Sequence, residues 1–157
     1  MKDQRELTYC EVGSTPKNDD GYFEQMTKAV FRSGFNWDVV EKKWPGFKKA
    51  FVNFAIERVA GFGGKDMARL MKDQGIVRNS RKILSTIDNA KKLVTLKKEH
   101  GSFRHYLESI SKDGEEKLCQ AITKQFSHVG DSMVVSFLRS VGEEMPTMSK
   151  QWIKKHF

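Results

Sequence analysis

The chain has 157 residues, 38% hydrophobic and 31% charged, with 11 Phe, 3 Trp and a formal net charge of +8. That length suits one domain with a real core, and the aromatic content argues against a disordered chain. No stretch approaches the roughly 18 apolar residues of a membrane span, and the opening MKDQRELTYC is too charged for an export signal, so no export is expected.

Residues 1–18 read as an irregular N-terminal segment, with GSTPKN at 13–18 as a loop cluster. Asp19 or Asp20 is expected to cap the first helix, where an acid suits the helix dipole. Phe23, Met26 and Val30 carry helical spacing up to Gly34. A second short helix is predicted from near Trp37 to the Pro45-Gly46 break, followed by an aromatic-faced helical segment marked by Phe47, Phe51 and Phe54. Residues 61–64 turn the chain, and 65–72 read as a short helix closed by Gly75. The longest helix is predicted over 79–99, because Ile83, Ile87, Ala90 and Val94 share one helical face. Gly101 can end it. Further helices are predicted over 103–110, 115–126 and 131–141, with a last basic one over 151–157. Strand alternation and internal repeats are absent. The expected class is all-α, with about eight helices in a single domain over 19–157.

A charge of +8 favours polyanionic partners. The basic residues recur in groups: Lys42, Lys43, Lys48 and Lys49; Arg78, Arg81 and Lys82; Lys91, Lys92, Lys97 and Lys98; Lys154 and Lys155. Such groups suit a basic binding face, and equally a merely solvated one. Cys10 and Cys119 are too sparse for a disulfide scaffold and suit reduced thiols in a cytosol. His100, His105, His128 and His156 have no metal-ligand spacing. No cofactor and no membrane contact are expected, and a cytoplasmic monomer is.

Between the helices over 115–126 and 131–141 lies the turn Ser127, His128, Val129, Gly130, Asp131, Ser132. Glycine lets backbone approach a ligand closely, and N–H groups opening a helix accommodate phosphate. Val129 can anchor the turn in the core. This is the layout of a helix-hairpin-helix clamp on DNA, although any helical hairpin with glycine looks the same. Asp131 suits an N-cap better than a phosphate cradle.

Three strings taken together are more specific: FRSGFNWDVVEKKWPGFKKAF at 31–51, DQGIVRNSRKILSTIDNA at 73–90 and ITKQFSHVGDSMVVSFLRSVG at 122–142. In that order they resemble the DNA-3-methyladenine glycosylase I family of the helix-hairpin-helix glycosylase superfamily, over roughly residues 20–142. The GFNW and KWPGF strings look closest to its shorter branch, for which no zinc is expected. The resemblance implies an enzyme that flips a methylated adenine from duplex DNA and hydrolyses its N-glycosidic bond, without a Schiff base. Extrusion must offset a few kcal/mol of lost stacking and pairing. The alkylated base is cationic, which makes it a better leaving group and attracts it to an aromatic wall by about 0.5–2 kcal/mol.

The same resemblance assigns residues. Trp37 matches the pocket tryptophan; the alternative is a core tryptophan opening a helix. Gly34 and Phe35 match the loop that fills the gap left by the flipped base, with Phe35 as an apolar wedge or as core packing. Asn36 is either a base or backbone contact or the cap of the helix starting at Trp37. Tyr22 projects into the same cleft or into the core. Arg78 and Lys82 are DNA-facing, or belong with Asn79 and Arg81 to structure around the pocket. Val129, Gly130, Asp131 and Ser132 form the hairpin that grips backbone phosphate.

The departures concern chemistry. The better-known branch carries an aromatic and acidic N-terminal segment where this chain has LTYCEVGSTPKN, leaving Tyr9 alone as a substitute. Its zinc would find only Cys10 and His156, two short of a closed tetrahedral site. Its base-recognising glutamate falls on Ala29, with Glu24 as a weak stand-in. The wider superfamily's catalytic aspartate falls near Lys150 and Gln151, where glutamine cannot deprotonate water. No catalytic residue is therefore assigned. A glycosylase restricted to cationic leaving groups is the leading reading. A DNA-binding module without catalysis is the second. An adaptor for other proteins is the third, if the basic residues do not converge.

Overall fold

The computed structural model describes residues 13–130 and 133–143. All regular structure among them is helical: α1 Asp19–Arg32, α2 Trp37–Lys42, α3 Trp44–Ala50, a 3-10 turn Val52–Phe54, α4 Ile56–Ala60, α5 Gly64–Met71, α6 Ser80–His100, α7 Phe103–Ser111, α8 Glu115–Gln125 and α9 Val134–Ser140. The all-α expectation holds. The basic helix expected over 151–157 lies outside the described residues. One core runs through the molecule from Tyr22 to Val141.

The long helix α6 is the centre. It packs on α1, α4, α5 and α7, and α1 in turn meets α2, α7 and α9. Asn79 caps α6 by accepting from the Lys82 N–H at 3.1 Å, and Gly101 ends it at φ +87. A left-handed residue closing a helix is inexpensive only for glycine or a few polar residues.

The acids opening α1 act at a distance. Asn18, not Asp19 or Asp20, caps α1, accepting from the Gly21 N–H at 3.0 Å. Buried Asp19 instead accepts from the Phe103 N–H at 2.9 Å, at the start of α7. Asp20 accepts from the Ile56 N–H at 3.0 Å, at the start of α4. Each helix begins with N–H groups that have no partner within it. Two neighbouring carboxylates thus tie α1 to two other helices.

The aromatic segment departs from the expectation of one helical face. Pro45 sits in the first turn of α3, where its missing N–H costs nothing, so it starts a helix instead of breaking one. After Ala50 the chain turns left-handed through Val52, Asn53 and Phe54, at φ 53, 55 and 59. Such angles are uncommon without glycine. They return Phe51 and Phe54 to the core, both fully buried. There Phe54 stacks on Trp44 at 5.3 Å, and Phe47 meets Phe31 edge-on at 4.7 Å.

Asp19→Ala leaves the Phe103 N–H buried without its acceptor. It is expected to lower unfolding free energy by about 1–3 kcal/mol in chemical denaturation, and more than Lys17→Ala on the surface.

Candidate nucleic-acid interface

The C-terminal end of α1 presents carbonyls that the helix itself cannot satisfy. Phe31 O and Ser33 O both accept from the Lys82 ammonium, at 3.2 and 2.6 Å. Arg32 O accepts from the Phe35 N–H at 3.1 Å and from the Trp37 indole N–H at 3.1 Å. The chain between them turns at Gly34, whose φ is +66. Beyond that turn Phe35 stands 43% exposed, one of three large apolar side chains on the described surface. The Lys82 ammonium lies 5.7 Å from its ring centroid. Trp37 is half-buried, with the Arg32 guanidinium 5.1 Å from its ring. Arg32 is itself held by Glu41 at 3.0 Å. Asn36 caps α2, its side-chain oxygen accepting from the Asp38 and Val39 N–H groups at 2.9 and 3.2 Å.

Lys82 is buried, and burial lowers its pKa from the ordinary lysine value. It shares one side of α6 with Ser85 and Asn89, both also buried. Three and seven residues on, these side chains fall within about 60° of Lys82 around the helix. Asn89 holds the second loop. Its amide donates to Ser127 O at 3.0 Å and accepts from the Ser127 N–H at 2.8 Å. Ser85 Oγ and His128 Nδ1 lie 2.5 Å apart. The turn between α8 and α9 is therefore fastened to the helix that fastens the Phe35 loop. Val129 is buried, as an anchor should be. Among the described residues a side chain at Gly130 would meet nothing within 4 Å, so none of them blocks approach to the backbone there. Gly130 O accepts from the Met133 and Val134 N–H groups at 2.9 and 2.8 Å. Asp131 and Ser132 lie outside the described residues.

The remaining sequence-predicted residues are placed as follows. Arg78 is exposed in the loop before α6, as is Arg81 in its first turn. Tyr22 is not brought to Trp37. It is buried in the first turn of α1, edge-on to Phe103 at 5.1 Å. Trp37 meets the other end of that helix, about 15 Å along the axis. Burial raises the Tyr22 pKa, with Arg104 opposing and Glu143 adding to the rise. Ala29 is buried. Glu24 accepts from the Trp44 indole N–H at 2.8 Å and lies 3.9 Å from Lys48. Its carboxylate is thus engaged in holding α3. Gln151, Cys10 and His156 lie outside the described residues, and no group of three or more His, Cys, Asp or Glu suited to a metal occurs among those described.

Two cations from the basic groups are instead tied within the fold: Lys43 donates to Gln74 O at 2.9 Å and Lys97 to Glu57 at 3.0 Å. Sequence reasoning missed Ser85, Asn89 and His128. The available signal was two polar residues four apart flanking the apolar stripe of α6.

A family model described as methyladenine glycosylase matches residues 9–145. The chain belongs to this family. Members similar to it include the DNA-3-methyladenine glycosylase 1 of Escherichia coli K12, 25% identical over a match that covers 84% of this chain and 81% of that protein. The DNA-3-methyladenine glycosylase of Haemophilus influenzae is 21% identical over 84% of this chain and 82% of its own length. The fold is similar to the solved structure of the 3-methyladenine DNA glycosylase I of Staphylococcus aureus, with TM-score 0.74 and 23% identity over 90% of this chain and 87% of that one.

Asn89→Ala removes both bonds to Ser127. It is expected to cost about 1–3 kcal/mol in denaturation and to speed hydrogen exchange at the Ser127 amide more than at α1 amides. The Glu143 carboxyl is raised by burial and by Glu108, against the pull of Arg104. A raised folded pKa means that its ionised form weakens the fold, so stability falls as pH rises from the ordinary glutamate value through the raised one. Glu143→Gln is expected to gain stability over the wild type at pH 7 and little at pH 4.

Proposed function

We propose that this chain is a monofunctional DNA N-glycosylase that extrudes an alkylated adenine of the 3-methyladenine type from duplex DNA and hydrolyses its N-glycosidic bond. Family membership supports the reaction class. The observation that carries the reading within this chain is the Gly34 turn, with exposed Phe35 beside half-buried Trp37, fastened to the same helix as the hairpin turn.

A base within the stack is out of reach, so extrusion comes first. Phe35 enters the duplex and replaces the stacking that the extruded base gives up, as apolar wedges do. It can do so because Gly34 holds it out and the Lys82 bonds fix the loop's root. The Trp37 indole forms one wall for the extruded base, its N–H fixed by Arg32 O so that the ring plane is set before DNA arrives. Val129 anchors the hairpin, and the backbone at Gly130 approaches the phosphates, with Asp131 and Ser132 continuing that contact. Arg78 and Arg81, both exposed, supply further positive charge for the DNA backbone. Lys82 serves this surface by positioning Phe35, since its donors are directed at carbonyls.

Bond cleavage draws on the substrate. A cationic adenine leaves as a neutral base, so the scissile bond needs less help than that of an unmodified purine. Glu24 is engaged by Trp44, and Ala29 carries no acid. The reading therefore restricts the enzyme to cationic bases and excludes unmodified or deaminated ones. The chain acts as a monomer in the cytoplasm, on duplex DNA. The second reading, a binding module without catalysis, draws on the same absence of an acid.

The test is release of free 3-methyladenine from methylated duplex DNA. Wild type is expected to release it but not hypoxanthine. Phe35→Ala and Trp37→Ala are expected to slow release by about ten- to a hundredfold, in line with the loss of a stacking contact worth about 1–3 kcal/mol. Binding without release would favour the module.

A further inference from the structure

Among the described residues of the hairpin turn, His128 alone has a positive φ, +59, and it is exposed. A left-handed conformation is uncommon outside glycine, though histidine is among the residues that tolerate it. Such a conformation persists only where its surroundings impose it. Here they do. Asn89 bonds both the N–H and the C=O of Ser127, and Ser85 Oγ meets His128 Nδ1 at 2.5 Å. The ring is thus fixed through the nitrogen nearer the backbone. The other nitrogen, Nε2, makes no hydrogen bond among the described residues.

The ring's position is set by α6. Ser85 lies about one turn along that helix from Lys82, the residue whose ammonium lies over Phe35. His128 also directly precedes Val129 and Gly130. It is therefore held by the same helix that holds the Phe35 loop, and it adjoins the hairpin backbone at Val129 and Gly130.

We propose that His128 is a further DNA-backbone ligand, donating from Nε2 to a phosphate oxygen, and that Ser85 is the positioning residue that keeps the proton on that nitrogen. When the Ser85 hydroxyl donates to Nδ1, the neutral ring carries its proton on Nε2, facing outward. Which nitrogen carries the proton is set by the bond the other one makes. A neutral donor suffices for phosphate, and a protonated ring donates from the same atom. The contact needs no change in the fold, because the ring is already held. This assignment rests on the proposed DNA-binding reading, and adds a side-chain contact to a turn otherwise represented by backbone.

The experiment uses the full chain and a short duplex carrying a tetrahydrofuran abasic-site analogue, with affinity read by fluorescence anisotropy at fixed salt. His128→Ala is expected to bind about tenfold more weakly, the size of one hydrogen bond to a charged group. His128→Gln, which keeps an N–H donor, is expected to recover most of the loss. In wild type, imidazole nitrogen resonances are expected to show the Nε2-protonated tautomer and a shift at Nε2 on adding duplex. Ser85→Ala is expected to mix the tautomers. Wild-type affinity in His128→Ala, or an Nε2 resonance unmoved by duplex, would overturn the assignment while leaving the glycosylase reading intact. Failure of wild type to bind the duplex would overturn both.

Discussion

The carbonyls closing α1 need donors, and the rest of the site follows from how they obtain them. Phe31 O and Ser33 O receive the Lys82 ammonium, and Arg32 O receives the Trp37 indole and the Phe35 amide. A helix end buried without partners is costly, and so is a buried ammonium without acceptors. The two requirements meet here. Their meeting fixes a loop whose tip must stand out from the body, since Gly34 points it away and only the root is packed. Removing the cation would free the loop and also leave carbonyls under-satisfied, so the loop's geometry and the fold's stability are coupled at one atom.

The same helix carries this logic to a second loop. Lys82, Ser85 and Asn89 are polar, buried and on one side of α6. Lys82 holds the backbone before the Phe35 loop, and Ser85 and Asn89 hold His128 and Ser127 of the hairpin turn. Buried polar groups of this kind stay in a core only when paired. The pairs span about 10 Å of a rigid rod, which sets the separation between the Phe35 loop and the hairpin turn. Neither loop has regular structure to hold its place, and α6 supplies the register that both lack. Precision at a binding surface generally comes from such support beneath flexible connections.

The helices were legible in the sequence where apolar spacing was regular. The α6 stripe, the Gly101 stop and the three described helices after it were expected nearly where they lie, because periodicity and glycine stops are local signals. The left-handed turn at Val52–Phe54 was not legible, since no glycine marks it and the burial of Phe54 that sustains it is a tertiary effect. Nor was the reach of Asp19 to Phe103, 84 residues away. An acid at a helix start reads as a cap for that helix, whichever helix it serves. At the site, the sequence pointed to Gly34, Phe35, Trp37 and the hairpin, but separated Lys82 from none of its surface neighbours. Charge count cannot distinguish a lysine facing solvent from one buried on carbonyls. Tyr22 was placed with Trp37 from position alone, and the length of α1 keeps them apart.

The central claim is that one helix holds two loops as a single DNA-facing surface. Hydrogen exchange of the full chain, with and without a duplex bearing an abasic-site analogue, tests it most directly. Protection on binding is predicted for residues 33–37 and 127–130 together, with the exposed sides of α5 and α7 unchanged. Protection of one loop without the other, or of α5 or α7 instead, would contradict it.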